Sequence, residues 1–310
     1  MRYPVNRNCP LTGEPHERIV FHIPAEIVAK ENPTYRSSFS EILGISPNDE
    51  FPIVQSRSGF LFAGWLPPDD FLNSVYDKVI DHSKTSTQSI WYRRSLLEFC
   101  GAFLRVVEKH GPLKTGPLRL LDFGCGYGSI LRMLSGREIE CFGYEPSDER
   151  NERARGSDYK LLKHPDEIEA AGPFHLIVCT EVLEHVDRPR EVLRLLKKNA
   201  APGALYALTV PNIEKPFLDR SVAQLLADKR LPGVFNPWEH LNYFSSGTFR
   251  RLLAEENITV LEDFGRSAAA RDASARFGAA SGLERALNCL RVAKRVLAAP
   301  PSTELFCQGN

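Results

Sequence analysis

Beyond residue 116 the chain alternates runs of consecutive apolar residues with stretches whose apolar positions recur every three or four residues. Leu118–Phe123, Glu140–Tyr144, Tyr159–Leu162, Phe174–Cys179 and Ala204–Val210 read as strands. Between them Ile130–Leu134, Asp148–Arg155 and Arg190–Lys198 read as helices, the last with Val192, Leu195 and Leu196 turned inward. Continuously apolar strands separated by helices mean a parallel sheet covered on both faces. Farther on, Phe217 to Leu231 predicts an inserted helical flap ended by Pro232-Gly233, and Ser245 or Ser246 caps a helix over Phe249–Glu256. Ile258–Phe264 and Thr303–Cys307 are the last two strands, separated by an Ala/Arg-rich, exposed or mobile stretch (Ser267 to Ala280) and by a helix with Leu283, Leu287, Leu290 and Leu297 on one face. A strand, a long excursion and a terminal strand suit an antiparallel hairpin at a sheet edge. The expected fold is α/β: a doubly wound, mostly parallel seven-stranded sheet with an antiparallel C-terminal hairpin, preceded by a small irregular N-terminal module.

That module covers residues 1–85, which are rich in Pro, Ser and Asn. Ile53-Val54 and Gly59-Phe60-Leu61-Phe62 predict short strands, Pro67-Pro68 stops the second, and Phe71 to Val79 has helical spacing. The larger domain is expected over 86–310, with a flap at 213–245 and a helical insertion at 267–299. It begins with a helix over Ile90–Lys109, in which Leu96, Leu97, Cys100, Phe103, Leu104 and Val107 recur at helical steps before Gly111-Pro112.

Composition narrows the function classes. With 310 residues, 43% hydrophobic and 25% charged, the chain is ordinary for a globular protein. Its 39 basic residues balance 39 acidic ones, which argues against dedicated nucleic-acid binding. No apolar run approaches the ~18 residues of a membrane span, and Met1 to Pro10 lacks the apolar core of a signal peptide. Seven cysteines without a CxxC suit free thiols in a reducing compartment, so a cytoplasmic location is expected. The oligomeric state is not legible.

The strongest local signal is Asp122-Phe123-Gly124-Cys125-Gly126-Tyr127-Gly128, directly after a buried strand. Three alternating glycines strip Cβ atoms from a strand-to-helix turn, so that a ligand can lie against the backbone and the helix amides. Asp122 is placed to hold that turn or to meet a cationic ligand group. The GxGxG spacing differs from the GxGxxG of dinucleotide sites, which disfavours a nicotinamide dehydrogenase. Glu145, at the end of the next strand, is placed to accept hydrogen bonds from ribose hydroxyls.

Here the chain resembles the class I S-adenosylmethionine-dependent methyltransferases over about residues 90–310. Their DxGCGxG loop matches residues 122–128, their ribose-binding acid matches Glu145, and Glu181-Val182-Leu183-Glu184-His185-Val186 is similar to their segment after the fourth strand. The resemblance implies S-adenosyl-L-methionine as cofactor and S-adenosyl-L-homocysteine as product. It puts Asp122, Gly124, Cys125, Gly126 and Gly128 along the methionine part, and Glu145 on the ribose. Pro146 and His164 would border the adenine, and Thr180 and Glu181 would lie beneath the sulfonium.

The first 85 residues also resemble the N-terminal zinc ribbon of some small-molecule methyltransferases, the sugar C-methyltransferases among them. Cys9-Pro10-Leu11-Thr12-Gly13 matches one knuckle and Gln55-Ser56-Arg57-Ser58-Gly59 the other, followed by Gly59-Phe60-Leu61-Phe62, Pro67-Pro68 and Tyr76-Asp77. Three of the four thiolate positions are lost, and tetrahedral zinc needs four good donors, so a relic on the substrate side without metal is expected. A chance cysteine at position 9 is the alternative. Tyr76 either faces the acceptor pocket, as the family suggests, or is a core aromatic.

Methyl transfer is an in-line displacement at carbon, and a weakly acidic acceptor also needs a base. His240 lies in Pro237-Trp238-Glu239-His240-Leu241-Asn242-Tyr243-Phe244-Ser245, similar to a segment of the sugar C-methyltransferases whose Glu-His pair serves acid–base chemistry. His240 with Glu239, and His185 in EVLEHV, are the catalytic candidates. Against them stand an anchoring role for Glu239-His240 and a packing role for His185. Trp238, Tyr243 and Asn212 are candidate acceptor contacts, the aromatics being equally core candidates. Arg285, Arg291, Lys294 and Arg295 read as a solvated helix face, the alternative being attraction of a phosphorylated or acidic substrate. The expected activity is methyl transfer to a small molecule, a sugar nucleotide or secondary metabolite. A quinol or phenol O-methyltransferase and a non-catalytic cofactor-binding partner subunit are the alternatives.

Overall fold

In the computed structural model the described residues are 3–31, 39–68, 71, 74–79, 90–111, 116–136, 138–156, 158–214, 222–228, 233–263 and 302–309. The predicted stretches 267–280 and 283–297 therefore lie outside them, as do most of 217–231 and the side chain of Tyr76.

The N-terminal region is more regular than its composition predicts. Strands β1 (Arg18–Pro24), β2 (Glu50–Gln55) and β3 (Leu61–Ala63) pair antiparallel in that order. Helices α1 (Ala25–Glu31) and α2 (Phe39–Leu43) lie between β1 and β2. The alternation that betrays a strand is short in β1, because Ile19 and Val20 are exposed and the inward side chains are Phe21 and Ile23. Val75–Val79 forms a π-helical turn with both valines buried.

Helix α3 (Ile90–His110) opens the larger unit. Its apolar face is rotated from the expected one. Phe99, Cys100, Ala102, Phe103 and Val106 are buried, whereas Leu97 is 56% exposed. Counting heptad-like steps cannot separate these neighbouring stripes, since both satisfy three- and four-residue spacing.

The central sheet follows. Its strands are β4 (Leu118–Phe123), β5 (Ile139–Tyr144), β6 (Tyr159–Leu162), β7 (Phe174–Thr180), β8 (Ala200–Pro211), β10 (Ile258–Asp263) and β11 (Ser302–Gly309). The two-residue strand β9 (Asn242–Tyr243) belongs elsewhere. Helices α4 (Ser129–Leu134), α5 (Asp148–Ala154), α6 (Pro165–Ala171) and α7 (Pro189–Lys198) connect the parallel strands. Spatial order is β10-β11-β8-β7-β4-β5-β6. The strands β4 to β8 run parallel, and β11 runs antiparallel between β8 and β10. The seven-stranded fold and its antiparallel C-terminal pair are as expected, with the final strand inserted inside the pair's partner rather than outside it.

Two helices depart from the sequence reading. Helix α6, starting with Pro165 and carrying Asp166 and Glu167 in its first turn, was not foreseen. In α7 the fully buried side chains are Leu193 and Leu196, while Val192 and Leu195 are half-buried. In the flap region α8 (Val222–Ala227) is described, and beyond it α9 (Ser246–Glu255) begins with Ser245 in a reciprocal cap with Thr248.

Strand β9 comes from the region expected to be a flap, yet it pairs with β3 and completes the N-terminal sheet, order β1-β2-β3-β9. One core therefore joins Phe51, Ile53 and Ala63 to Ile213, Phe235, Trp238, Leu241 and Tyr243. Another joins Cys9, Phe60 and Phe62 to the sheet residues Ile177 and Leu208. Burial of an apolar side chain decides which leucines matter: Leu193→Ala should lower unfolding stability by about 2–5 kcal/mol, and Leu97→Ala by less than about 0.5 kcal/mol, by chemical denaturation.

Candidate functional site

Strands β4, β5 and β7 end at one edge of the parallel sheet, where open α/β folds bind ligands. The glycine loop leaves β4 there. Gly124 and Cys125 donate backbone hydrogen bonds to the Tyr144 carbonyl at 2.8 and 3.0 Å, which ties the loop to the end of β5. Gly124, Gly126 and Gly128 all have left-handed backbones, with φ of 76°, 54° and 70°. They are glycines for different reasons. A Cβ on Gly124 would lie 2.4 Å from Val182, and one on Gly128 would crowd Ala154 and Tyr159 at 3.1 Å. A Cβ on Gly126 would meet nothing within 4 Å, so this is the glycine whose backbone faces open space. Cys125 turns its thiol away, onto Gly143, whose own Cβ would come within 2.8 Å of that sulfur. Burial, then the Asp122 and Glu145 charges, push the Cys125 thiol well up, so it stays protonated.

Two acids sit beneath the loop. Glu145 is buried and accepts backbone hydrogen bonds from Gly126 and Ser147, both at 3.0 Å. It therefore staples the loop. Asp122 is 1% exposed, and neither of its oxygens accepts a hydrogen bond among the described residues. Burial, then the neighbouring Glu145 charge, raises its carboxyl to about 7. A buried carboxylate without a partner is costly, and a cationic group of a ligand would offset that cost.

The post-β7 segment supplies a second cluster. Glu181 takes a left-handed turn (φ 53°), and its carboxylate accepts from the Thr209 hydroxyl at 2.9 Å. Glu184 is 1% exposed, with neither oxygen accepting a hydrogen bond among the described residues. Burial, then Glu181, holds its carboxyl well above the usual range. His185 Nδ1 lies 2.9 Å from the Glu239 carbonyl, and His240 Nδ1 lies 2.9 Å from that of Val234. The two imidazoles meet edge to face, centroids 4.7 Å apart. Burial, then His240, lowers the His185 pKa well below that of a free imidazole.

A backbone clasp brings these distant residues together. The Glu184 carbonyl accepts from Leu241 N and Asn242 N at 2.7 and 3.0 Å. The Asn242 amide donates to the Leu183 and Val186 carbonyls, both at 2.7 Å. Arg7, buried, donates to the Leu241 carbonyl, the Asn242 side chain, and both the carbonyl and carboxylate of Asp187. Arg7 was not among the expected site residues; a lone arginine in an irregular N-terminus carries no local signal of this role.

Several other candidates find different surroundings. Trp238 and Tyr243 are fully buried and take the core reading, Trp238 edge-on to Phe51 and Tyr243 stacked on Phe235. Strand β9 carries this strip into the N-terminal sheet. The Glu239 carboxylate accepts from Asn236, and it is the Glu239 carbonyl that holds His185. Asn212 follows β8 and closes a local turn by accepting from Glu214 N. Pro146 and His164 are exposed at the ends of β5 and β6, His164 capping α6 through its backbone, and Thr180 ends β7 half-buried. In the two segments compared with ribbon knuckles, Gly13 N donates to the Cys9 carbonyl and Gly59 N to that of Ser56, while the Ser56 and Ser58 hydroxyls pair.

Residues 91–263, more than half of the chain, match the model of a family described as a methyltransferase domain. The chain belongs to that family, as a class I S-adenosylmethionine-dependent methyltransferase domain. This methyltransferase domain is 28% identical over 160 residues to a ubiquinone biosynthesis O-methyltransferase of Caulobacter sp. (strain K31), covering 48% of this chain and 62% of that one. It is 30% identical over 131 residues to the protein of the same name from Hahella chejuensis, covering 39% and 55%. The match thus spans little more than half the length of these relatives. In fold it is similar to the plantazolicin methyltransferase BpumL in complex with SAH, with a TM-score of 0.50 and 15% identity over 77% of this chain and 94% of that one. The related BamL complex gives a TM-score of 0.50 at 13% identity, covering 77% and 95%. No described helix of the domain is long and apolar enough to cross a membrane.

The raised Asp122 pKa has a stability consequence. An acid whose folded value lies near 7 against 3.8 in the unfolded chain stabilises the fold below about 4 and loses that contribution as pH rises through about 7. Without ligand, Asp122→Asn should therefore be more stable than the parent at pH 8, with the difference vanishing near pH 4, in denaturation at both pH values. Identical pH slopes for the two chains would contradict this.

Proposed function

We propose that the chain transfers a methyl group from S-adenosylmethionine to a small-molecule acceptor. The observation that carries this reading is Asp122, a buried carboxyl without a hydrogen-bond partner among the described residues, at the root of a loop whose central glycine faces open space. Those residues suit the ammonium end of the cofactor: Asp122 pairs with the charge, and the bare backbone at Gly126 admits close approach. Glu145, held in place by Gly126 N and Ser147 N, keeps lone pairs for ribose hydroxyls. Gly124, Gly128 and Cys125 shape the loop from behind, and Thr180 and Glu181 form the floor. Pro146 and His164 border the adenine end. When bound, the cofactor supplies an electrophilic methyl on a sulfonium.

The chain's own task is then alignment and removal of the acceptor proton. Orientation of reactants is worth up to ~7–11 kcal/mol, and proton removal about 100- to 10,000-fold in rate. The His185–His240 pair is the group for the proton. A carbonyl only accepts, so each Nδ1 facing one carries hydrogen, and Nε2 is the atom of the pair that takes the acceptor proton. Glu239 positions this pair through its carbonyl, and Asn212 borders the acceptor.

For the acceptor, the relatives favour a hydroxyl of a phenol or quinol, whose oxygen becomes the methylated atom. A sugar nucleotide is the second reading, supported by the Glu239-to-Ser245 segment and by the two glycine-closed turns at Cys9–Gly13 and Ser56–Gly59, where Thr12, Gln55 and Ser58 stand at the positions of the lost thiolates. We place the substrate-side module at 1–85 and the methyltransferase unit at 86–310 in this scheme.

Thermal-shift measurements test the reading. S-adenosylhomocysteine at 100 times its Kd should add about 2.7 kcal/mol of stability, and Asp122→Asn and Glu145→Ala should lose that gain. A larger shift with NAD would overturn the enzyme class. His240→Ala should cut turnover of the accepted phenol or sugar nucleotide by about 100-fold or more while leaving the S-adenosylhomocysteine shift intact.

A further inference from the structure

We propose that Glu184, His185 and His240 form a binding site for one divalent transition-metal ion of the zinc type, beside the methyl-transfer site. The sequence reading expected no metal, and the motif that suggested a ribbon lies elsewhere.

Geometry supports the site from three directions. One ligand atom from each of these residues lies within 4.8 Å of the others. Donors about 2.0–2.2 Å from a common ion sit roughly 3–4 Å apart, so small side-chain rotations bring the three into a first coordination sphere. Second, both imidazoles are oriented as ligation requires. Their Nδ1 atoms face the Glu239 and Val234 carbonyls, so Nε2 is the nitrogen each ring turns toward an ion. A ligating histidine is ordinarily oriented in this way by a carbonyl or carboxylate on its other nitrogen. Third, Glu184 is buried, both its oxygens lack hydrogen bonds among the described residues, and Oε1 lies 3.5 Å from His185 Nε2. A cation held by all three supplies the buried acid with a partner.

The donors are also rigidly held. Glu184 and His185 are consecutive, and the Glu184 carbonyl receives Leu241 N and Asn242 N, which fixes the residue following His240. Two nitrogens and one carboxylate form a three-donor set of the kind that leaves a coordination position open. Two imidazoles in the set favour zinc, cobalt or iron over magnesium or calcium, which take oxygen ligands.

The use of such an ion rests on the methyl-transfer reading; its binding does not. On the open position an acceptor hydroxyl loses its proton to solvent, because the ion's charge lowers the oxygen's pKa. The oxygen pair then forms the O–C bond as the C–S bond breaks, and that bond's electrons stay on sulfur as a neutral thioether. In this arrangement His185 and His240 act as ligands, and the ion takes over the role of an imidazole base. A proton on Glu184 is the rival occupant of the same space.

The test uses the full chain without a histidine tag, stripped by chelator and titrated with Co2+. Visible ligand-field absorption and calorimetry read binding, and Zn2+ competition reads displacement. One equivalent should bind, and Glu184→Gln, His185→Ala and His240→Ala should each weaken it by at least about 10–100-fold. Each variant should still be stabilised by S-adenosylhomocysteine, which shows that it is folded and that the cofactor reading stands independently. Should a variant fail to fold, the remaining two and the parent decide the matter. Absence of Co2+ binding by the parent, or binding unchanged in the folded variants, overturns the site. Loss of the S-adenosylhomocysteine shift in the parent would instead overturn the methyl-transfer reading and leave the ion site to be judged by Co2+ alone.

Discussion

Main-chain carbonyls at the end of β7 need donors, and in this protein those donors come from a segment more than fifty residues away. Leu241 N and Asn242 N bond the Glu184 carbonyl, and the Asn242 amide bonds those of Leu183 and Val186. Arg7 closes the same knot from the N-terminus, its guanidinium spread over Leu241, Asn242 and Asp187. Burial weakens the preference of Arg7 for its charged form, and the Asp187 carboxylate beside it offsets that. A buried guanidinium satisfied on several sides is costly to disturb, since removing it strands several carbonyls at once. The histidine cluster, strand β9 and the attachment of the N-terminal sheet all depend on this knot.

The second organising constraint is negative charge out of water. Asp122, Glu145 and Glu184 are all buried near the carboxyl ends of the central strands in a chain whose total charge is zero. Glu145 is satisfied by backbone amides, whereas Asp122 and Glu184 are not. Such groups reduce the stability of the empty fold and are retained where a ligand supplies the missing partner. The two acids differ in what stands opposite them. Asp122 is near a bare glycine backbone, which suits an organic ammonium; Glu184 is beside two imidazoles, which suits a metal ion.

The N-terminal region is joined to the larger unit by more than a linker. Its sheet borrows β9, and its side chains Phe60 and Phe62 pack with Phe244, Leu208 and the rest of the central core. Arg7 carries it into the histidine cluster. An insertion or truncation in the first 68 residues therefore acts directly on the geometry of the candidate site, although the family match begins at residue 91.

Local physics made part of this legible from the residues alone. Apolar runs such as Phe174–Cys179 are buried strands because no other arrangement hides them, and Gly124-Cys125-Gly126-Tyr127-Gly128 needs left-handed backbone that other residues resist. The sheet, the loop and the acid after β5 follow from such short-range rules. The tertiary structure decided what depends on convergence: that Leu193 rather than Val192 lies deepest, that Trp238 and Tyr243 are core, that Gly124 makes room for Val182, and that Arg7, Glu184 and His240 meet. Periodicity cannot choose between adjacent stripes of one helix, and spacing along the chain carries no record of which carbonyl a distant amide will satisfy. Those choices are made by packing and by the requirement that buried polar groups find partners.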